Sequence, residues 1–126
     1  MSRAVILLAH GSSDPRWSRP IKMLLDRLCR RGLGADAVAL AFLEKSRPTL
    51  ETAVSVFAEL GYKKQTVVPI FLGRGRHVSR DIGKKVAALR KRHKGVRITV
   101  QPSIGEQPKV IEAIAGAIAA SIAAAR

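Results

Sequence analysis

Four short apolar segments alternate with four segments of helical periodicity along the chain. The apolar segments, which we predict to be strands, comprise residues 4–9, 37–43, 66–72 and 96–100. Strands that alternate with helices in this way are typical of βαβ units, whose consecutive strands lie parallel in one sheet. The pattern therefore predicts an α/β fold with a four-stranded parallel sheet and helices on both of its faces.

The predicted strands differ in how apolar they are, and this difference orders them in the sheet. The first strand, AVILLA at 4–9, is apolar on both faces, as a strand in the middle of a parallel sheet must be. The fourth alternates its apolar residues with Arg97 and Thr99, which indicates an edge position. The flavodoxin-type strand order 2-1-3-4 satisfies both requirements. It predicts a ligand crevice at the carboxyl ends of the first and third strands, whose helices leave to opposite faces.

The helical segments carry apolar residues spaced three and four positions apart, as helices that cover a sheet do. Their apolar stripes are Ile21, Leu24, Leu25 and Leu28; Leu50, Val54 and Phe57; Ile82, Val86 and Leu89; and Ile111, Ile114, Ile118 and Ile122. The first of these helices is predicted to stop at Gly32 and the second at Gly61. Within the third predicted strand, Pro69 lacks a backbone N–H, so we predict a bulge or local irregularity there.

Length and composition fit one compact unit. The chain has 126 residues, of which 47% are hydrophobic, so we predict a single domain over 1–126 with a substantial core. One cysteine, Cys29, excludes a disulfide framework within the chain and fits a reducing compartment. The first apolar run is too short for a signal peptide, and no run approaches the length that spans a bilayer. We expect a cytoplasmic protein that does not enter the membrane.

Charge adds a prediction about partners. Lys and Arg number 23 against 9 acidic residues, which gives a net charge of +14. Such an excess repels itself and favours a polyanionic partner, whether nucleic acid, an anionic surface or a small molecule. The segment from Arg74 to Arg97 contains ten basic residues and one acidic residue, Asp81. A solvated basic helix face is the alternative interpretation of this segment.

Three residues with metal-binding or proton-accepting side chains follow three different strands. His10 follows the first predicted strand, Glu44 the second and His77 the third. Imidazole suits cobalt, iron, nickel and zinc, and a carboxylate can complete the ligand shell or accept protons. Each residue alone has an ordinary explanation, such as a loop hydrogen bond or a surface ion pair. Two histidines at neighbouring strand ends together favour a functional site.

The residues around the histidines leave two interpretations open. Gly11, Gly73 and Gly75 allow the backbone to approach a ligand closely, or they serve ordinary turns. Ser12 and Ser13 stand at a helix start, where they can bind a carboxylate or phosphate, or cap the helix. The chain has neither of the glycine-rich phosphate-binding motifs, GxxxxGK[ST] or GxGxxG.

Three sequence segments carry a specific resemblance. LLAHGSSDP, AFLEKSRP and VVPIFLGRGRHVSRDI resemble the signatures of the short sirohydrochlorin chelatases, of the CbiX and SirB type, over roughly residues 5–108. The resemblance implies a lyase that inserts cobalt, iron or nickel into sirohydrochlorin or a related polycarboxylate tetrapyrrole, in cobalamin or siroheme-type biosynthesis. It assigns metal handling to His10 and His77 and implicates Glu44 in catalysis. The metal would be a substrate, and no organic cofactor is implied.

The resemblance also implies a basic surround for an anionic tetrapyrrole, and a homodimer. The candidate substrate-binding residues are Ser12, Ser13, Arg16, Lys45, Arg47, Gly73, Arg74, Gly75, Arg76 and Arg80. The sequence departs from the family pattern at Arg74 and Arg76, which flank Gly75. Relatives often have small residues at these two positions. The later segment PSIGEQP also lacks a histidine that some relatives have.

Two other functions compete with the chelatase. A metal or tetrapyrrole carrier without turnover would use the same residues. A small basic nucleic-acid-binding domain would explain the charge, but it leaves His10, Glu44 and His77 without a role. It also lacks aromatic side chains interleaved with the basic segment, which single-strand binders use for stacking. The sequence therefore favours the chelatase over nucleic-acid binding.

Overall fold

A computed structural model describes residues 3–33 and 37–125 of the chain. Its sheet has four strands, which are β1 (Arg3–Ala9), β2 (Val38–Phe42), β3 (Lys64–Pro69) and β4 (Arg97–Val100). All neighbouring strands are parallel, and their order is β2-β1-β3-β4. The predicted α/β fold, strand order and edge position of the fourth strand are confirmed.

Four α-helices connect or follow the strands. They are α1 (Arg19–Leu28), α2 (Leu50–Glu59), α3 (Arg76–Arg92) and α4 (Pro108–Ala124). Short helical turns precede α1 at Pro15–Ser18, follow it at Cys29–Leu33 and precede α4 at Ile104–Glu106. The turn after α1 is broken by Gly32, whose φ of 92° lies in the left-handed region. The α-helix itself thus ends at Leu28, and the helical turn that follows it is interrupted at Gly32, the glycine that the sequence indicates.

The main core lies between one face of the sheet and the helices α2 and α3. From β1, this face presents Ala4, Ile6 and Leu8, which are completely buried. The predicted apolar stripes of the two helices are buried against it, namely Leu50, Val54, Phe57, Ile82, Val86 and Leu89. Burying each of the larger side chains contributes about 1.5–3 kcal/mol, so this layer fixes α3 against the sheet.

The opposite face of the sheet has a thinner cover. There Leu7 and Phe42 are buried, and the centroids of the Trp17 and Phe42 rings are 6.1 Å apart. Helix α1 packs beside β2, but none of its residues is fully buried. Of its predicted stripe, Leu24 is exposed.

The third strand ends earlier than the sequence pattern predicts. It was expected over 66–72, whereas β3 begins at Lys64 and ends at Pro69. Its register with β1 is regular up to the pair of Leu8 and Pro69, so the predicted bulge is wrong. Proline is tolerated because it is the last residue of the strand and lies beyond the last pair with β4, which is Val67 with Val100. Residues 70–72 therefore begin the loop to α3 rather than extending the strand.

Helix α4 contributes little to the core. Its main packing partner is the turn Ile104–Glu106, and three of its four isoleucines, Ile111, Ile118 and Ile122, are exposed. The helix thus presents an apolar surface outside the folded core. Within residues 3–33 and 37–125, no helix has the length and apolarity that crossing a bilayer requires.

Candidate active site

A cavity lies at the carboxyl ends of β1 and β2, against the first half of α3. It has a volume of about 500 Å³ and is open to solvent. Eight residues line it, namely His10, Leu43, Glu44, His77, Val78, Arg80, Asp81 and Lys84. The three candidate residues, from three separate segments, therefore line the same cavity, but its strand side is formed by the ends of β1 and β2 and not by those of β1 and β3 as predicted.

His10 and Glu44 form a close pair on the sheet side of this cavity. The Nε2 atom of His10 lies 3.0 Å from the Oε1 atom of Glu44. Their side chains are 49% and 52% exposed, so water screens the pair and its contribution to stability is small. The His10 ring also meets the Phe71 ring edge to face, with their centroids 6.5 Å apart. The pair is thus accessible to a ligand.

The backbones that carry this pair are joined directly. The backbone N–H of Glu44 donates to the His10 carbonyl at 3.1 Å. Gly11, with a φ of 106°, lies so close that a Cβ atom there would overlap the Glu44 carbonyl oxygen. Only glycine fits this position without strain or displacement. Gly11 therefore permits the close approach that brings His10 and Glu44 together.

Serine side chains brace the same two loops. The Ser46 hydroxyl donates to the Ser12 carbonyl at 2.8 Å and accepts from the Ser12 backbone N–H at 3.1 Å. The Ser12 hydroxyl accepts from the Asp14 backbone N–H. Ser12 therefore stabilises the loops by hydrogen bonds, as the capping interpretation predicts. The sequence pattern did not indicate a role for Ser46. Ser13 is exposed.

Helix α3 forms the other wall of the cavity. His77 lies in its first turn, and Arg80, Asp81 and Lys84 follow at intervals of three and four residues. Residues at these intervals share one face of a helix, so all four side chains border the cavity. Sequence reasoning proposed His77 and Arg80 but missed Asp81 and Lys84. The helical spacing from His77 was the signal that would have found them.

The loop from β3 to α3 is held at its start and open in its middle. The Gly105 backbone N–H donates to the Phe71 carbonyl at 2.9 Å, and a Cβ on Gly105 would overlap the Leu72 backbone. By contrast, apart from the adjacent residues, no heavy atom of the described chain lies within 4 Å of a Cβ placed on Gly73 or Gly75. The guanidinium of Arg74 buries its Nη1 atom with no hydrogen-bond partner in the described chain. Arg76, the first residue of α3, is exposed.

The remaining predicted substrate-binding residues do not line the cavity. Arg16 forms a salt bridge of 2.9 Å with Asp14. This contact lowers the pKa of the Asp14 carboxyl and raises that of the Arg16 guanidinium. Lys45 is exposed, with a φ of 60°, and Arg47 borders a different depression beside Pro48. Their part in substrate binding remains a prediction.

A second groove, of about 540 Å³, runs along α1 and has fewer side chains that could bind a metal. Arginine and lysine dominate its lining, and its one acidic residue, Asp26, forms an ion pair with Arg30. The third histidine, His93, also lies elsewhere, 3.3 Å from the Ser55 hydroxyl. In the described part of the chain, no three metal-ligand side chains converge closely enough to hold an ion together. The His10 cavity is therefore the site where ligand-type side chains are most concentrated.

The described chain is thus a small α/β protein with a 2-1-3-4 parallel sheet, in which two imidazoles and a carboxylate line one cavity beside the strand ends. The sequence profile of the CbiX family matches residues 4–121, and the chain belongs to this family. A sirohydrochlorin cobaltochelatase of Sulfurisphaera tokodaii is 30% identical over 108 residues, which is 86% of this chain and 84% of that protein.

Solved structures agree with this membership. A CbiX protein of Marinobacter aquaeolei VT8 superposes with a TM-score of 0.84 and 33% identity, covering 95% of this chain and 97% of that one. The sirohydrochlorin chelatase SirB of Bacillus subtilis subspecies spizizenii, solved in complex with cobalt, gives a TM-score of 0.78 and 27% identity. That match covers 92% of this chain and 49% of SirB. The chain spans about half the length of several curated relatives, from 43% to 59%.

Proposed function

We propose that this chain inserts a divalent metal ion into sirohydrochlorin or a closely related polycarboxylate tetrapyrrole. The observation that carries the proposal is that His10, Glu44 and His77, from three separate segments of the chain, line one cavity beside the carboxyl ends of the strands. The names of the curated relatives, sirohydrochlorin cobaltochelatase and ferrochelatase, support the same reaction class.

Insertion of a metal makes two chemical demands that this cavity meets. The hydrated ion must exchange water for protein ligands, and neutral imidazoles bind late divalent metals well. The macrocycle then loses two pyrrole N–H protons as its four nitrogens bind the ion, with no change of oxidation state. Imidazole and carboxylate are the side-chain groups that most often accept protons in enzymes, and the cavity holds both 3.0 Å apart in His10 and Glu44.

The charge of the chain suits the proposed macrocycle. Sirohydrochlorin bears carboxylates around its rim, and Arg80 and Lys84 supply positive charge at the cavity. Arg74 and Arg76 lie on the adjoining loop and helix start, and the net charge of +14 attracts an anion from a distance. The partly buried guanidinium of Arg74 has an unpaired Nη1 atom, which a substrate carboxylate could satisfy.

We propose cobalt as the principal metal, with iron and nickel as the alternatives to be compared with it. Relatives at least 30% identical to this chain include several named as cobaltochelatases, and SirB was solved with cobalt. The ion is then a substrate that leaves in the product. Cobalamin and siroheme-type biosynthesis are the two pathways that would need such a product, and a cytoplasmic location remains our prediction for either.

Time-resolved absorbance with sirohydrochlorin and Co²⁺ tests the proposal. Wild-type chain should accelerate the spectral change, and His10→Ala and His77→Ala should each slow it by about 100-fold, since each removes a metal ligand and proton acceptor. His93→Ala is the matched control, because His93 lies outside the cavity, and it should keep the wild-type rate.

The competing functions give different results in the same experiment. A carrier would bind Co²⁺ or the macrocycle without accelerating insertion, and this would contradict the proposed turnover. A nucleic-acid-binding domain would shift generic DNA in a salt-dependent manner that sirohydrochlorin does not affect.

We further propose that the chain acts as a homodimer that pairs through α4. The exposed residues Ile111, Ile118 and Ile122 lie on a helix whose only charged residues are Lys109 and Glu112. Two copies with a net charge of +14 repel each other, so a nearly uncharged apolar surface is where they can meet at least cost.

Analytical ultracentrifugation tests this pairing. Wild-type chain should sediment as a dimer and Ile118→Asp as a monomer, because a buried aspartate without a partner is costly. Val56→Asp is the matched control, since Val56 is similarly exposed, at 48% against 55%, but lies on α2. Dimers of Ile118→Asp as stable as those of wild type would contradict the pairing through α4.

A further inference from the structure

Asp81 stands out in the most basic segment of the chain. Between Arg74 and Arg97 it is the only acidic residue among ten basic ones. Lys84 and Lys85 follow it at the three- and four-residue spacings at which helical side chains normally pair. Lys85 instead lies 3.2 Å from Glu51, and Lys84 makes no ion pair in the described chain. Among the described residues, the Asp81 carboxylate is thus left without an ion-pair partner, although several cations are near.

This unpaired carboxylate borders the cavity of the candidate active site. The cavity has two acidic residues, Glu44 and Asp81. Glu44 already contacts His10 at 3.0 Å, so Asp81 is the carboxylate whose oxygens are both available to a ligand. The negative charge of Asp81 would repel an anionic macrocycle. Binding of the macrocycle therefore does not explain why a carboxylate lies in this cavity. A cation, by contrast, would be attracted to it.

The position of Asp81 relative to His77 gives its charge a specific use. The two residues are four positions apart on α3 and line the same cavity. This spacing puts their side chains one above the other on the helix, about 5–6 Å apart at Cβ. It is the spacing at which two side chains on one helix can bind the same metal ion. His77 and Asp81 therefore offer one nitrogen and one oxygen ligand from a single helical turn.

We propose that Asp81 and His77 form a loading site, where the hydrated divalent ion first binds before it contacts His10. The inference rests on the proposed function, because it concerns how the metal substrate arrives. The carboxylate replaces one water of the hydrated ion, and no proton or electron is transferred in this step. The negative charge also offsets the repulsion that Arg80 and Lys84 exert on a cation entering the cavity.

Binding of Co²⁺ alone to the tag-free chain of 126 residues tests the loading site. Calorimetry and the visible spectrum of bound Co²⁺ should show about tenfold weaker binding for Asp81→Asn, with an altered spectrum, because an oxygen ligand is lost. Asp81→Glu should retain binding within about threefold. Asp26→Asn is the matched control, since it removes the same charge on α1, where Asp26 pairs with Arg30 outside the cavity.

A double variant shows whether the two residues bind one ion. If they do, Asp81→Asn combined with His77→Ala should weaken Co²⁺ binding by less than the product of the two single effects. Affinity and spectrum unchanged in Asp81→Asn, or fully multiplicative effects in the double variant, would overturn the inference. Circular dichroism of each variant verifies that the fold is retained.

Turnover separates this inference from the proposed function. Wild-type chain that fails to accelerate insertion of Co²⁺ into sirohydrochlorin contradicts the proposed function itself. If wild type is active, Asp81→Asn should raise KM for Co²⁺ about tenfold while KM for sirohydrochlorin stays the same or falls. An active wild type with an unchanged KM for Co²⁺ in Asp81→Asn contradicts only the loading site.

Discussion

The two sides of the cavity are built differently. On the side of β1 and β2, which we call the His10 side, residues 10–14 and 42–48 are joined by backbone and serine hydrogen bonds, and Gly11 lies against the Glu44 carbonyl. On the His77 side, the loop is held at Phe71 and Leu72, but space surrounds Gly73 and Gly75 before α3 begins.

This difference suggests a division of tasks. A metal ligand that must be in place before the ion arrives benefits from a fixed backbone, as on the His10 side. A wide, flat substrate that must enter and leave benefits from a loop whose middle can adjust. We therefore expect substitutions on the His10 side to damage folding and metal binding together, whereas those in the open loop are tolerated.

Gly11→Ala should have the largest effect. Its φ of 106° is unfavourable for alanine by about 1–2 kcal/mol. Overlap with the Glu44 carbonyl adds about 1–3 kcal/mol of overpacking. We expect a loss of about 2–5 kcal/mol in the free energy of unfolding, measured by denaturant titration, and weaker Co²⁺ binding because the His10–Glu44 pair is displaced.

Gly61→Ala separates the two contributions to this effect. Gly61 also has a positive φ, 92°, but no atom lies within 4 Å of a Cβ placed there. Its loss should be limited to about 1–2 kcal/mol, with Co²⁺ binding unchanged. Equal losses for the two variants would show that contact with Glu44 contributes nothing.

Gly105→Ala should have the next largest effect, because it disturbs the fixed start of the His77 loop. The added methyl group would overlap the Leu72 backbone, at a cost of about 1–3 kcal/mol measured by denaturant titration. Gly116→Ala, in the interior of α4 with open space around it, should instead stabilise the chain by about 0.5–1 kcal/mol. A destabilisation by Gly116→Ala as large as that by Gly105→Ala would contradict the assigned contact with Leu72.

Gly75→Ala should have a small effect on stability. Its φ of −76° suits alanine and restriction of the unfolded chain favours the variant, whereas alanine is a poorer N-cap for α3 than glycine. These two effects oppose each other, so the free energy of unfolding should change by less than about 1 kcal/mol. Insertion rates should stay within about twofold of wild type. A large loss of activity in this variant would show that the loop needs glycine itself, and the proposed tolerance of the open loop would be wrong.

Asp14→Asn should give the smallest effect, visible through its pH dependence. Hydrogen bonds from Arg16 hold the pKa of the Asp14 carboxyl below its ordinary value of 3.8. A pKa that is lower in the folded state than in the unfolded state adds to the free energy of unfolding at pH values above 3.8. This added stability is lost as the pH falls through the folded-state pKa. The difference in unfolding midpoint between wild type and Asp14→Asn should therefore narrow in acid. A difference that stays constant from neutral pH to well below 3.8 would contradict the charged contact.

Much of the fold could be predicted because it follows from local patterns. The apolar run of β1 and the alternation in β4 were enough to place one strand inside and the other at an edge, as the observed order confirms. Since carboxyl ends of parallel strands share one edge of the sheet, the positions of His10, Glu44 and His77 predicted a shared cavity. Helical periodicity likewise identified the buried residues of α2 and α3.

What could not be predicted depends on contacts between distant segments. Ser12 and Ser46 are 34 residues apart, and nothing in either local sequence indicates their mutual hydrogen bonds. The run of basic residues concealed Asp81, because charge alone suggests a solvated helix face. The end of β3 at Pro69 was missed because residues 70–72 remain apolar while leaving the sheet.

The ligands of bound Co²⁺ test the central claim most directly, that two imidazoles from opposite walls of one cavity bind the metal. X-ray absorption spectroscopy on tag-free chain loaded with Co²⁺ should show two imidazole ligands in wild type and in His93→Ala. It should show one in His10→Ala and one in His77→Ala. No imidazole scattering in wild type, or a spectrum that neither His10→Ala nor His77→Ala changes, would contradict the account.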